Sequence, residues 1–185
     1  ALLAKGMLAK AQDKIAFVDS NSTAMAMGFI ALAMARAAAD GASLADCKAL
    51  GEKARDHTGV YFAVDTLEFL HRGGRIGGAQ RFLGSVLNLK PILALEDGRV
   101  EAVERVRTKG KALDRVLELV SEKTQGKTPI RLATLHANAH QEAKELLDRA
   151  VTQLKPVETV LSEVSPVIGT HAGPGTVGLA YMAGM

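Results

Sequence analysis

The chain has 185 residues, 48% of them apolar, with 23 basic and 20 acidic side chains and a net charge of +3. That length and apolar content can bury a sizeable core, and the near balance of charge speaks against a nucleic-acid binder. Aromatics at 4% with no Trp leave little for base stacking, no apolar run reaches the length of a membrane span, and a single cysteine excludes an internal disulfide framework.

Residues 1–14, ALLAKGMLAKAQDK, are already in helical pattern without a cap, so the chain reads as starting inside a longer protein. KIAFVDS predicts a short strand over Ile15–Val18. Ser20 or Ser22 can cap the helix that runs through TAMAMGFIALAMARAAADG and stops at Gly41. Because this helix is apolar nearly all round, it is expected to be covered on more than one side. Ser43 with Asp46 three places on resembles a capping box and starts a second helix reaching about His57. Cys47 lies on that helix and reads as a structural thiol; a lone cysteine fits a reducing, cytoplasmic compartment.

GVYFAVDTLEFLHRGG reads as a strand over Val60–Val64, then a helix with Asp65 and Glu68 in capping-box positions. A short helix is expected over Ala79–Leu87. KPILALEDGRVEAVERVRT is two alternating runs joined at Asp97-Gly98, a strong hairpin signal. The next helix puts Leu113, Val116, Leu117 and Val120 on one face. After the strand IRLATLHA, another helix lines up Ala143, Leu146, Leu147, Ala150 and Leu154. Lys144 with Asp148 and Glu145 with Arg149 are spaced to pair on its outer side. VETVLSEV and TVGLAYM complete the sheet. The hairpin makes the sheet mixed, so the expected fold class is α/β with a mixed sheet packed against helices. The domain seam is expected at Arg55–Gly59, dividing a remnant of a parallel α/β domain (1–58) from a mixed α/β domain (59–185).

Three stretches carry candidate chemistry. HRGGRIGG, residues 71–78, interleaves glycines and arginines in a loop whose amides could face an anion; a helix C-cap with solvated arginines describes it equally well. It lacks the Lys-Ser or Lys-Thr of a nucleotide P-loop. ERVRTKGKA, residues 104–112, projects Arg105 and Arg107 from one strand face, as an anion-facing patch or as a basic edge that resists strand addition. HAGPG places Pro174 and Gly175 at the central positions of a type II turn beside His171. An imidazole donates a hydrogen bond in either protonation state, so His171 with the Gly173 and Gly175 amides could hold a carboxylate; a histidine that merely caps the turn fits as well. His136 and His140 are four apart with no acidic partner beside them, and no metal site or cofactor is expected.

VDSNSTAMAMGF, VYFAVDTLEFLHRGGRIGG, GSVLNLKPILALEDGRVEAVERVRTKGKAL and VSPVIGTHAGPGTVGLAY run in order along the chain, and together they resemble the DegV family. The resemblance implies a two-domain α/β fatty-acid-binding protein, not itself an enzyme, that presents the acyl carboxylate to the catalytic subunit of a fatty acid kinase. It implies His171 beside the carboxylate, and Arg75 and Arg107 on the basic face where the kinase docks. Two hydroxyl-bearing motifs of the family, TSxPS and SGTY, do not occur here, so the chain reads as truncated at its N-terminus. The Met-rich helix offers Met25, Met27, Phe29 and Ile30 as an acyl-chain wall or as ordinary core. The alternative to a carrier is a phosphoryl- or acyl-transfer enzyme with His171 as general acid or base.

Overall fold

Alternating apolar residues along several segments require two covered faces, and one sheet between two helical layers provides them. A computed structural model describes residues 2–7, 12–83 and 89–185. Helices α1 (Leu2–Gly6), α2 (Ala24–Ala39) and α3 (Leu44–Ala54) precede β1 (Thr58–Ala63) and α4 (Glu68–Arg72). The hairpin strands β2 (Lys90–Glu96) and β3 (Arg99–Val106) are followed by α5 (Lys109–Thr124), β4 (Ile130–His136), α6 (His140–Leu154), β5 (Glu158–Val160), α7 (Pro166–Ala172) and β6 (Val177–Ala183). The strands form one mixed sheet in the order β3-β2-β1-β6-β4-β5, with β4 and β5 parallel and the remaining pairs antiparallel.

The period of two divides the core. Tyr61, Ala63, Leu132, Leu179 and Tyr181 point to the layer made by α5 and α6, while Val60, Phe62, Ala133, Leu135 and Met182 point to the layer containing α2. Val116 and Val120 of α5 and Ala143, Leu146 and Ala150 of α6 are buried on the faces their spacing predicts. The β2–β3 turn has Asp97 at φ 48° and Gly98 at φ 76°, the left-handed pair that a type I′ hairpin needs. At α3, Ser43 Oγ accepts from the Asp46 amide and the Asp46 carboxylate accepts from the Ser43 amide, so the capping box forms.

Several expectations are corrected. Ile15–Val18 joins no ladder among the described residues, because a strand needs a hydrogen-bonding neighbour and the sheet ends at β3 and β5. Helix α2 is capped by Thr23 in position only, without a side-chain bond, while Ser20 bonds Ser22 instead. Asp65 does not cap α4; its carboxylate is taken by Lys90 and Lys109, and Thr66 Oγ1 accepts from the Glu68 amide. The segment Gly77–Phe82 is a 3-10 turn, and the rest of the helix expected to Leu87 lies outside the described residues. Lys144 pairs with Asp148, but Arg149 reaches Asp114 of α5 and Glu145 accepts from Gln141. The seam at Arg55–Gly59 does not divide the packing: Phe29, Ile30 and Ala54 share one cluster with Val60 and Phe62. Helix α2 is covered by the sheet and by α3, and Met27 stays about half exposed.

Candidate functional site

On the α2 side of the sheet lies a cavity of about 530 Å³. Its floor is apolar, from Val60 and Phe62 of β1, Leu135 of β4, and Leu95 and Val100 of the hairpin. Leu70 of α4 with Ile168 and Ala172 of α7 add apolar wall. Polar groups gather at the rim: Ser22 and Thr23 before α2, Arg75 in the glycine-rich loop, Arg99 after the hairpin turn, and His171 on α7. Among the described residues, no Asp or Glu lines it. This volume and this ratio of apolar wall to a few convergent polar groups are those of small-ligand sites.

The sequence reading missed α7, which places His171. Ser165 stands at its N-cap, Pro166 opens its first turn, and Gly173 follows its end at φ 81°. Proline just inside a helix start and glycine just past its end are start and stop signals that SPVIGTHAG carries in plain view. The last turn of α7 packs on α4, and His171 Nδ1 is buried there against Gly73 with no hydrogen-bond partner. Nε2 is therefore the ring nitrogen left accessible on the cavity side.

The glycine-rich loop is strapped to β3 and is not a free anion nest. A Cβ on Gly77 would meet the Val100 carbonyl oxygen at 2.3 Å, and one on Gly78 would meet the Glu101 carboxylate. Only glycine lets the loop lie this close. The Arg75 amide donates to the Leu70 carbonyl at 2.9 Å, and its guanidinium donates to the Gly73 carbonyl at 3.2 Å. Arg75 thus stands on the rim without a carboxylate partner among the described residues.

The GPG turn forms, with Gly175 at φ 79° as position i+2 of a type II turn requires. Its amides are not ligand donors, which corrects the role expected for Gly173 and Gly175. The Gly173 amide donates to the Gly169 carbonyl at 2.8 Å, and the Gly175 amide donates to the Ala137 carbonyl at 2.8 Å. Proline has no N–H to add. The turn's work is structural, joining α7 to β6 and to the end of β4.

The acyl-wall residues are not in the cavity wall either. Phe29 and Ile30 are fully buried core, Met25 is half-buried beside Gly28, and Met27 faces outward. Helix α2 reaches the cavity only with its first residues, since the face carrying positions 26, 29 and 30 lies on the sheet. Arg107 is exposed beyond β3 and is not among the residues that line the cavity, and Arg105 stacks on Phe82 at 4.6 Å.

Next to the GPG turn, the Asp65 carboxylate takes Lys90 at 2.9 Å and Lys109 at 3.4 Å, and Lys109 also donates to the Gly175 carbonyl. Burial alone would push the Asp65 carboxyl up, but the Lys90 hydrogen bond and the charges of Lys109 and Lys90 outweigh it and hold the group below its ordinary value. His136 and His140 meet edge to face with ring centroids 5.5 Å apart; His136 is buried and its Nδ1 has no partner.

The profile of the DegV family, described as an uncharacterised protein family, matches residues 1–184. A DegV domain-containing protein of Streptomyces coelicolor is 43% identical over 163 residues, covering 88% of this chain and 58% of the relative. Protein DegV of Bacillus subtilis is 38% identical over 165 residues, again 88% of this chain and 58% of the relative. The chain therefore spans a little under three fifths of the length of these relatives. Among solved structures, a fatty-acid-binding DegV family protein from Thermus thermophilus superposes with TM-score 0.89 at 36% identity, covering 98% of this chain and 64% of that one. DegV of Bacillus subtilis, described as a fatty acid binding protein, superposes with TM-score 0.79 at 36% identity, covering 90% of this chain and 59% of that one. With a matched profile along nearly its whole length and a sheet and helices that superpose on those of these proteins, the chain belongs to the DegV family.

Proposed function

We propose that this protein is a fatty-acid carrier that holds a long acyl tail in the 530 Å³ cavity, with the carboxylate at the rim formed by His171 and Arg75. The observation that carries this reading is the pairing of an apolar floor with rim cations that have no acidic partner in the cavity wall among the described residues. The tail supplies the drive: at about 0.8 kcal/mol per methylene, sixteen carbons gain on the order of 10 kcal/mol before ordering costs. A carboxylate that leaves water loses several kcal/mol unless donors replace its hydration, and His171 Nε2 and the Arg75 guanidinium, both lining the cavity, are the donors we assign.

The carboxylate then stays near the surface, where a partner enzyme could reach it. A fatty acid kinase that forms the acyl phosphate is the partner we propose, docking on the side of Arg75 and Arg107, both exposed. In this reading the chain binds and orients while the partner does the chemistry, so His171 acts as a hydrogen-bond donor and not as a general acid or base. Mass spectrometry of the purified full chain tests it. A co-purifying long-chain fatty acid in about 1:1 ratio supports the carrier; an empty protein that binds no added palmitate contradicts it, and palmitate binding left unchanged by H171Q contradicts the role of His171. ATP turnover by the chain alone would favour a transfer enzyme instead.

A further inference from the structure

Thr23 occupies the N-cap of a 16-residue helix in extended backbone, φ −143° and ψ −177°, yet its side chain makes no cap bond. A threonine in that place normally gives its oxygen to an amide of the first turn. Here Ala24, the first helical residue, takes φ 50°, a left-handed conformation that an L-residue adopts only at a cost. The chain steps into α2 with a left-handed residue, and Thr23 Oγ1 misses the amides it would otherwise cap.

The consequence is a solvent-accessible hydroxyl, on a half-buried residue, with no protein partner among the described residues, on the wall of the cavity that also holds His171 and Arg75. A hydroxyl that no protein group engages is free to donate to a bound acceptor in place of water. A carboxylate offers about four lone-pair sites. One imidazole N–H and one guanidinium leave part of that capacity open.

We infer that Thr23 is a ligand-binding residue that donates its hydroxyl hydrogen to the carboxylate from the α2 side, while His171 approaches from α7. This rests on the fatty-acid reading above. The left-handed Ala24 is the local device that keeps the hydroxyl available, since a right-handed step at that residue would turn it back onto the helix.

The test compares palmitate with hexadecanol, which has the same tail and no charge, in the full chain and in T23V and T23S. T23V removes the donor while keeping the shape. The expected result is about tenfold weaker palmitate binding in T23V, near-native binding in T23S, little change for hexadecanol, and an unchanged melting temperature. A purely structural cap would show the opposite, a lowered melting temperature with both ligands weakened in parallel, and that result overturns the inference. T23V that binds palmitate like the parent also overturns it. If the parent chain itself binds no palmitate, the fatty-acid reading fails first, and this result is separable from the other two.

Discussion

The buried Nδ1 of His171 sits where a methyl group on Gly73 would go: a Cβ built on Gly73 would lie 2.1 Å from that nitrogen. Gly73 itself has an ordinary φ of −77°, so it is the ring, not the backbone, that requires glycine there. The glycine at the end of α4 thereby sets the position of a side chain on α7. Substituting G73A is expected to displace the imidazole from the cavity rim and weaken palmitate binding about tenfold, much as H171Q does. Because both changes act on one ring, the double variant should add little, which a double-mutant cycle by fluorescent fatty-acid displacement measures.

Gly175 is constrained differently. At φ 79° an L-side chain is strained, and its Cβ would fall 2.0 Å from Asp65 Oδ2. G175A combines a left-handed alanine with disruption of the contact between Asp65 and Lys109, so a loss of about 2 kcal/mol is expected in urea unfolding. Fatty-acid binding by the folded fraction should survive, since the Gly175 amide points to the Ala137 carbonyl and not to the cavity.

Asp65 also predicts an acid limb. Its carboxyl is held below the ordinary value, so the folded state favours the ionised form. That stabilisation is present above about pH 4, the unfolded value, and is lost as pH falls through the lower native one. D65N should destabilise the chain at neutral pH by an amount that shrinks toward acid, read from melting temperatures across pH 2–7. The group is partly exposed, so the effect is small and salt-sensitive.

At the other extreme stands Tyr181, whose ring packs over Gly59 and whose hydroxyl is pushed up to about 12 by burial, with Tyr61 adding to it. Tyr61 is raised as well, by burial first and then by Glu96 and Glu122. A tyrosine kept neutral in the fold stabilises fully below the unfolded value near 10 and loses that contribution as pH rises toward the native value. Ultraviolet titration of the folded chain should show little phenolate near pH 10, and Y181F should flatten the alkaline loss of stability between about pH 10 and 12.

Local signals were readable and distant ones were not. The Ser43–Asp46 capping box, the Asp97-Gly98 turn and the buried faces of α5 and α6 depend on residues within a turn or two of each other, so the sequence carries them. Asp65 looked like a cap because Glu68 follows at the right spacing, but Lys109, 44 positions away, competes for its carboxylate. A strand at Ile15–Val18 has the right residues and lacks a neighbour. On a helix as uniformly apolar as α2, periodicity does not say which residues meet a cavity, and only residue type singles out Met25, Met27, Phe29 and Ile30. Only the helix start reaches it. His171 was legible because a histidine beside Gly-Pro-Gly is unusual, whereas its neighbours Thr23 and Arg99 come to the rim through the fold alone.

In the proposed complex the His171 imidazole meets the carboxylate through Nε2. Long-range nitrogen–proton NMR of the five histidines, with and without equimolar palmitate, reads this directly. The expected result is a shift of the His171 Nε2 resonance on binding, absent when hexadecanol replaces palmitate, with His136 and His140 unmoved. Palmitate bound tightly while the His171 resonances stay in place would contradict it.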